Sequence, residues 1–494
     1  MGAARGSVVG RRGRERGGVD GRQASRDAAP TSRRAARQAA RAGRGGVATT
    51  LLSILLTLVL AVAAGAGGAA LATHWFPLAS ADAAQPHSAQ LLSAATQPQQ
   101  ALSAPVRTCS IRPETEAPAA LDFHGLIVDA QTGEVLFEEN PEGTHPTASV
   151  MKLVTSTSAL VTLGPDYRIP TRVYPGNVPG SVVIVGGGDV TLKSSATSYY
   201  EGATASLAEL AAAVEAAGGA TSVGYDTSVF GGDPWHPTWE QKERTDGYIS
   251  PITALMTDAG RTDPNNMYSP RTTSPAQDAA ADFASAVGAP LDDAVFVEPG
   301  SEPIAEVWSQ PVSELVEYVL VDSDNVVAEA LARLVAIERG TGNTFEAVDA
   351  AADASLEELG LDASTFVGAD GSGMSRDNRA SASLIVSLVE AIHTDTDGLG
   401  FLIDFLPENS LTGTLKDRLG TVPAGAIKAK TGWIDQVFAL AGTMTAEDGT
   451  ELIFAIFVPV ENPDGSQITG LGNRNALDAI AAATWSCGAT LSNY

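Results

Sequence analysis

Apolar positions along the chain fall into short dense runs and longer helical stretches. Phe123 to Asp129 (FHGLIVD) and Val135 to Glu138 (VLFE) flank Ala130-Gln131-Thr132-Gly133, which predicts a β-hairpin with a Gly turn. Ser149 to Leu163 predicts a helix ended by Gly164-Pro165, with Met151, Val154, Ala159 and Val161 suited to a buried element. Residues 167–310 change character. Short β runs, Ile169 to Tyr174 and Ser181 to Val185, alternate with turns such as Pro175-Gly176-Asn177 and with one Ala-rich helix, Leu207 to Ala217. This predicts a smaller β-rich domain inserted into the first, so that 118–166 and 311–494 form one discontinuous domain. Helical patterning returns over Val312 to Arg339 and Ser381 to His393. Gly425 to Thr431, Val437 to Thr445 and Glu451 to Pro459 predict three consecutive strands, the last two joined by Glu447-Asp448-Gly449. Arg474 to Trp485 closes the chain as a helix. The order predicts an α+β fold, an antiparallel sheet flanked by helices.

Charge adds a direction to this picture. Residues 1–46 hold twelve Arg and three acids, a net +9, so the rest of the chain carries −36 of the total −27. Val47 to Ala72 then has no charged residue, enough apolar length to cross a bilayer. The Arg-rich side is expected to stay cytoplasmic and everything beyond 72 to lie outside. The segment is either a transmembrane signal anchor, the reading favoured by its length, or a signal peptide cut near Ala70-Leu71-Ala72 or Ala79-Ser80-Ala81. Residues 73–117, rich in Ala, Ser, Pro and Gln, read as a flexible linker. The exported part is too acidic for a nucleic-acid partner. Its two cysteines, Cys109 and Cys487, are expected to form a disulfide, the alternative being two buried thiols. The six histidines are scattered and no Cys–His spacing suits a metal, so neither metal nor cofactor is expected.

Three short motifs supply candidate chemistry. In Ser149-Val150-Met151-Lys152 the hydroxyl and the amine sit three residues apart on one helical face. A serine needs a base to become a nucleophile, and a lysine can serve if burial or nearby positive charge lowers its pKa. In Ser323-Asp324-Asn325 a second hydroxyl can relay a proton and an amide can orient the lysine and the substrate backbone; capping of the helix after it is a compatible role. In Lys430-Thr431-Gly432 an edge strand offers a cation and a hydroxyl to a carboxylate, while Gly432 admits a close backbone. The N–H groups of Ser149 and Trp433 are the candidate oxyanion donors. Each motif alone is weak. All three, in this order on an exported chain, point to serine acyl transfer.

With these motifs the sequence resembles the low-molecular-weight class C penicillin-binding proteins, the D-alanyl-D-alanine carboxypeptidase/endopeptidase family. Four more stretches carry the resemblance over roughly residues 118–490: Ser323 to Glu329 (SDNVVAE), Val185-Gly186-Gly187-Gly188-Asp189, Asp370-Gly371-Ser372-Gly373-Met374-Ser375-Arg376, and Phe438 to Gly442 (FALAG). The resemblance implies a penicillin-binding-protein/β-lactamase-like transpeptidase domain. It also implies a peptidoglycan stem-peptide substrate, β-lactams as covalent inhibitors, and a pocket in which Asp189 and Arg376 flank the side-chain end of meso-diaminopimelate. The alternative for these two is a turn cap and a structural ion pair. The chain departs from the family in Trp433, where a small residue or Thr is usual, in Val190, where Pro is usual, and in a short insert. The 174 residues from Ser149 to Ser323, and the lack of Glu-x-x-Leu-Asn, argue against a class A β-lactamase. The rival readings are an esterase or β-lactamase of the same fold, separable by substrate profiling, and a non-catalytic wall-binding or antibiotic-sensing module, separable by binding without acylation.

Overall fold

The computed structural model describes residues 106–120, 122–460 and 470–494. The Arg-rich tail and the apolar segment 47–72 lie outside the described residues. No helix among the described residues is long and apolar enough to cross a membrane.

The chain enters through one helical turn, α1 (Arg112–Thr115), and the expected hairpin, β1 (His124–Asp129) and β2 (Val135–Glu139). A two-residue strand, β3 (Thr144–His145), leads into a 3-10 turn and α2 (Met151–Leu163). Next come β4 (Arg168–Pro175), β5 (Val182–Gly186), α3 (Leu207–Ala216), β6 (Val223–Asp226), α4 (Gln241–Thr245), α5 (Pro275–Val287) and β7 (Ala305–Pro311). The helical stretch expected over 312–339 is two helices, α6 (Val312–Leu320) and α7 (Asn325–Glu338), and a third, α8 (Val348–Glu358), follows. Then follow β8 (Ala380–Ser381), α9 (Ala382–His393), β9 (Ile427–Ile434), β10 (Val437–Thr445), β11 (Glu451–Pro459) and α10 (Leu471–Cys487).

The main sheet is antiparallel, in the order β2-β1-β11-β10-β9, so the last three strands complete a sheet begun by the first two. Its central strands β10 and β11 are apolar on both faces because both faces are covered. Val437, Ala439 and Ala441 on β10, and Ile453, Ala455 and Phe457 on β11, join the core with α2, α7 and α9. Phe438 and Leu440, with Leu452, Phe454 and Ile456, face α10 and the N-terminal segment. The period-two alternation of strand side chains sorts one continuous apolar run into two cores. The small Ala439 and Ala441 leave room for the helical layer that carries Ser149. β9 is the edge strand of this sheet; its outer side pairs with residues 407–409 over Ile427–Ala429 and is open beyond them.

Residues 168–311 build a second sheet, β6-β5-β4-β7, with its own core of Val173, Ile184, Leu210, Val214 and Phe283. This part is less β-rich than expected, because α4 and α5 add to α3. The expected linker also ends earlier than 117. Ile111 is fully buried, and Thr108 and Cys109 donate backbone hydrogen bonds to Thr490. Cys109 and Cys487 are bonded, with Cα atoms 5.4 Å apart across 378 residues of chain. Constraint of so long a loop restricts the unfolded state, so a Cys109→Ser, Cys487→Ser variant is expected to lose about 2–5 kcal/mol of stability. Thermal unfolding with and without reductant checks this; an unchanged midpoint contradicts it.

Candidate active site

Ser149 sits in the 3-10 turn Ala148–Val150 that opens α2, half-buried at the floor of a cleft of roughly 490 Å³. Lys152, one turn on, is fully buried and donates to three acceptors: Ser149 Oγ at 2.9 Å, Asn325 Oδ1 at 2.6 Å and the Ser372 carbonyl at 2.5 Å. Burial lowers its pKa from 10.5 to about 8, against the opposing pull of the Asp370, Glu329 and Asp324 carboxylates. An amine in this state can give up its proton near neutrality, which a base for a serine hydroxyl requires.

The second motif faces both lysines. Ser323 Oγ accepts from Lys430 Nζ at 2.9 Å, and Asn325 Nδ2 donates to the Tyr248 carbonyl at 3.0 Å. Between them Asp324 is the N-cap of α7, accepting from the Val326 and Val327 amides. Lys430, on β9, is fully buried and also donates to the Thr431 carbonyl at 3.0 Å. Burial pushes its pKa well down, and the nearby Lys152 pushes it the same way. A substrate carboxylate would offset both effects. Thr431 Oγ1 donates to Thr414 Oγ1 at 2.7 Å beside it.

The open edge of β9 faces the cleft. The Ala429 amide donates to the Pro407 carbonyl, and the Ile427 carbonyl accepts from Asn409, both on the side away from β10. Alternation along the strand turns the Thr431 and Trp433 backbone groups to that same side. Gly432 lies against the turn that carries Ser149: a Cβ there would stand 3.1 Å from the Ala148 Cβ and 3.2 Å from the Thr147 carbonyl. The Trp433 ring is 54% exposed, lines the cleft and stacks on Phe438 with centroids 6.2 Å apart.

The Asp370–Arg376 run does more than the sequence suggested. Asp370 accepts from the Gly373 and Ser375 amides, Asn378 Nδ2 and Trp239 Nε1. Glu329 accepts from the Gly371 and Ser372 amides. Both carboxylates are fully buried, and burial together with Asp370 pushes the Glu329 pKa up. They hold the loop whose Ser372 carbonyl meets Lys152. Gly373, at φ +83°, packs on the Ala148 carbonyl so closely that no Cβ fits. Glu329→Ala strands two buried amides at about 1–3 kcal/mol each. Its unfolding midpoint is expected to fall and its Ser149 acylation to slow; wild-type values for both contradict this role.

Arg376 is exposed and lines the cleft. Asp189 does not line it. It is buried, with Oδ1 accepting from the Thr191 amide at 2.8 Å and from Thr191 Oγ1 at 2.7 Å, the geometry of a turn cap. Asp189 and Arg376 are thus not brought together on the wall of this cleft. Burial of the turn places this acid inside the inserted part, and burial raises its pKa to about 6.

A serine hydrogen-bonded to a buried lysine of lowered pKa, facing a second hydroxyl and a cationic strand edge, has the arrangement of a serine hydrolase of the penicillin-binding type. The chain matches the model of the D-Ala-D-Ala carboxypeptidase 3 (S13) family over residues 111–287 and 266–483. It is 37% identical over 378 residues to Carboxypeptidase DacB of Mycolicibacterium smegmatis, covering 74% of this chain and 80% of that protein. It is 35% identical over 382 residues to Carboxypeptidase Rv3627c of Mycobacterium tuberculosis, with the same two coverages. Penicillin binding protein 4 (dacB) from Haemophilus influenzae shares the fold, with a TM-score of 0.62 at 19% identity over 76% of this chain and 98% of that one. The protein belongs to the D-Ala-D-Ala carboxypeptidase 3 (S13) family and is a serine-type D-Ala-D-Ala peptidase of α+β fold, as the motifs implied.

Proposed function

We propose that this enzyme trims or opens peptidoglycan stem peptides through an acyl-enzyme on Ser149, outside the cytoplasmic membrane. The observation that carries the reading is the triple contact of the buried Lys152 amine with Ser149, Asn325 and Ser372. Lys152 takes the Ser149 proton as Oγ attacks the carbonyl between two D-alanines, or between D-Ala and a diaminopimelate side chain. The oxyanion rests on the Ser149 and Trp433 amides. The C–N bond breaks, and the departing amine takes a proton delivered through Ser323. Lys430 and Thr431 hold the terminal carboxylate, with Gly432 allowing the substrate backbone to lie along β9. Water, activated by the same lysine, then releases the shortened peptide. β-Lactams present the same carbonyl and carboxylate and are expected to acylate Ser149 and leave slowly. Arg376 at the cleft wall is suited to a stem-peptide carboxylate.

In this reading residues 1–46 form a cytoplasmic tail and 47–72 a membrane anchor or cleaved signal. The main peptidase domain is discontinuous around the inserted domain 167–310. Mass spectrometry of products from purified pentapeptide and cross-linked muropeptides, with and without penicillin, tests the activity. Penicillin-sensitive loss of D-Ala, or of the cross-link, is expected. Rapid penicillin turnover with intact muropeptides contradicts it.

A further inference from the structure

The second motif is held from the inserted part of the chain. The Arg261 side chain is fully buried, and its Nη2 donates to Asp324 Oδ2 at 3.0 Å. The Tyr200 hydroxyl donates to the same oxygen at 2.8 Å. The guanidinium lies 4.8 Å from the Tyr199 ring centroid and 4.7 Å from that of Tyr200, a cation held between two aromatic faces. Its Nη1 also donates to the Asp258 carbonyl at 3.2 Å. Arg271, buried beside it, donates to the carbonyls of Gly247, Ala259 and Met267, and so braces the segments that carry Arg261 and Tyr248.

The division of labour at Asp324 gives this clamp a consequence. Oδ1 caps α7 and Oδ2 binds the insert, so the carboxylate is fixed at both ends. On one side of it Ser323 is held at φ +58°, a left-handed conformation that a non-glycine residue keeps only when its surroundings dictate it. On the other side Asn325 reaches Lys152. A small rotation of Asp324 would carry Ser323 away from Lys430 and Asn325 away from Lys152 together. Helix capping alone needs only Oδ1; the second oxygen has no task except the insert.

We propose that Arg261 is a positioning residue for the peptidase reaction: through Asp324 it sets the places of Ser323 and Asn325. The insert is thus part of the catalytic framework rather than a spacer in the chain. The inference rests on acylation at Ser149 as the reaction read.

The experiment is a double-mutant cycle on the full chain, with Arg261→Met, Asp324→Asn and the double variant, read by the rate of acylation with a fluorescent penicillin and by kcat and KM for D-Ala release. Asparagine keeps an oxygen for the cap while removing the charge that the guanidinium meets. Arg261→Met is expected to slow acylation and lower kcat by about 10–100-fold with KM within about threefold, the pattern of misplaced catalytic groups. In the Asp324→Asn background the same change is expected to cost less than about threefold, since contacting residues couple. Arg261→Lys should recover part of the rate. Equal losses in both backgrounds, or wild-type acylation by Arg261→Met, overturn the inference. If Arg261→Met does not fold, Tyr200→Phe and Arg261→Lys carry the test, and wild-type rates in both overturn it. A wild-type protein that penicillin does not label removes the functional reading itself, whereas equal labelling of wild type and variants removes only the clamp.

Discussion

Ser149→Ala is expected to abolish covalent labelling by a fluorescent penicillin and to lower D-Ala release by roughly 10⁵-fold, while the fold is retained. The size follows from the chemistry. Without Oγ there is no acyl-enzyme, and water would have to attack the amide directly with only the strand edge and the oxyanion donors to help. The fold should survive because Ser149 lies half-exposed at the cleft, and the turn that carries it is fixed by neighbours. Those neighbours are the buried Ala148 and Val150, Gly432 on one side and Gly373 on the other. Electrophoresis of labelled protein and amino-acid analysis of released D-Ala provide the readings. Undiminished labelling, with the adduct mapped to another serine, would falsify the assignment.

Lys152→Met is expected to cost about 10²–10⁴-fold in acylation, the usual worth of a positioned base, and Lys152→Arg should not restore it. A guanidinium stays protonated, so it can reach the acceptors yet cannot take the serine proton. The same reasoning fixes the pH dependence. Burial lowers the Lys152 pKa to about 8, so the ammonium form dominates below that pH and the free amine above it. The acylation rate should therefore climb with pH, approaching tenfold per unit on the acid side, and level off above about 8. Asp370 is the largest of the carboxylate influences holding that value up. Asp370→Asn should move the limb to lower pH even as loss of its carboxylate loosens the loop. A flat profile from pH 6 to 9 contradicts the role of Lys152 as base. A limb that moves upward in Asp370→Asn contradicts the electrostatic account.

The strand patterns and the helix periods were legible because they are local. The runs at 437–445 and 451–459 sit where the sequence put them, and β1 and β2 differ from their expected ends by a residue. Other elements depart from the expected pattern. α5 is Ala-rich with Pro at its first position and Gly288 beyond its end in the left-handed region, an ordinary helix signature inside a segment whose other patterning is β-rich. β6 is only four residues long and is recognisable mainly through its parallel pairing with β5. The N-terminal boundary lies earlier than composition implies, because Ala, Ser and Pro content describes the segment before Cys109 better than it describes Ile111, whose burial depends on α10 arriving from the far end of the chain.

Sequence alone determined that Ser149 and Lys152 lie side by side, because three residues of helix bring two side chains to one face whatever the rest of the chain does. It also determined the existence of a second hydroxyl–amide pair and of a lysine on a strand, since short motifs keep their internal geometry. Tertiary structure decided what those groups meet. The Ser372 carbonyl reaches Lys152 from 220 residues away, and Asn325 from 173. Arg261 holds Asp324 across 63 residues. It likewise decided that Asp189 turns inward to cap its own loop while Arg376 faces the cleft. Contacts between distant segments depend on how layers pack and which polar atoms burial leaves needing a partner, and no window along the chain contains that information.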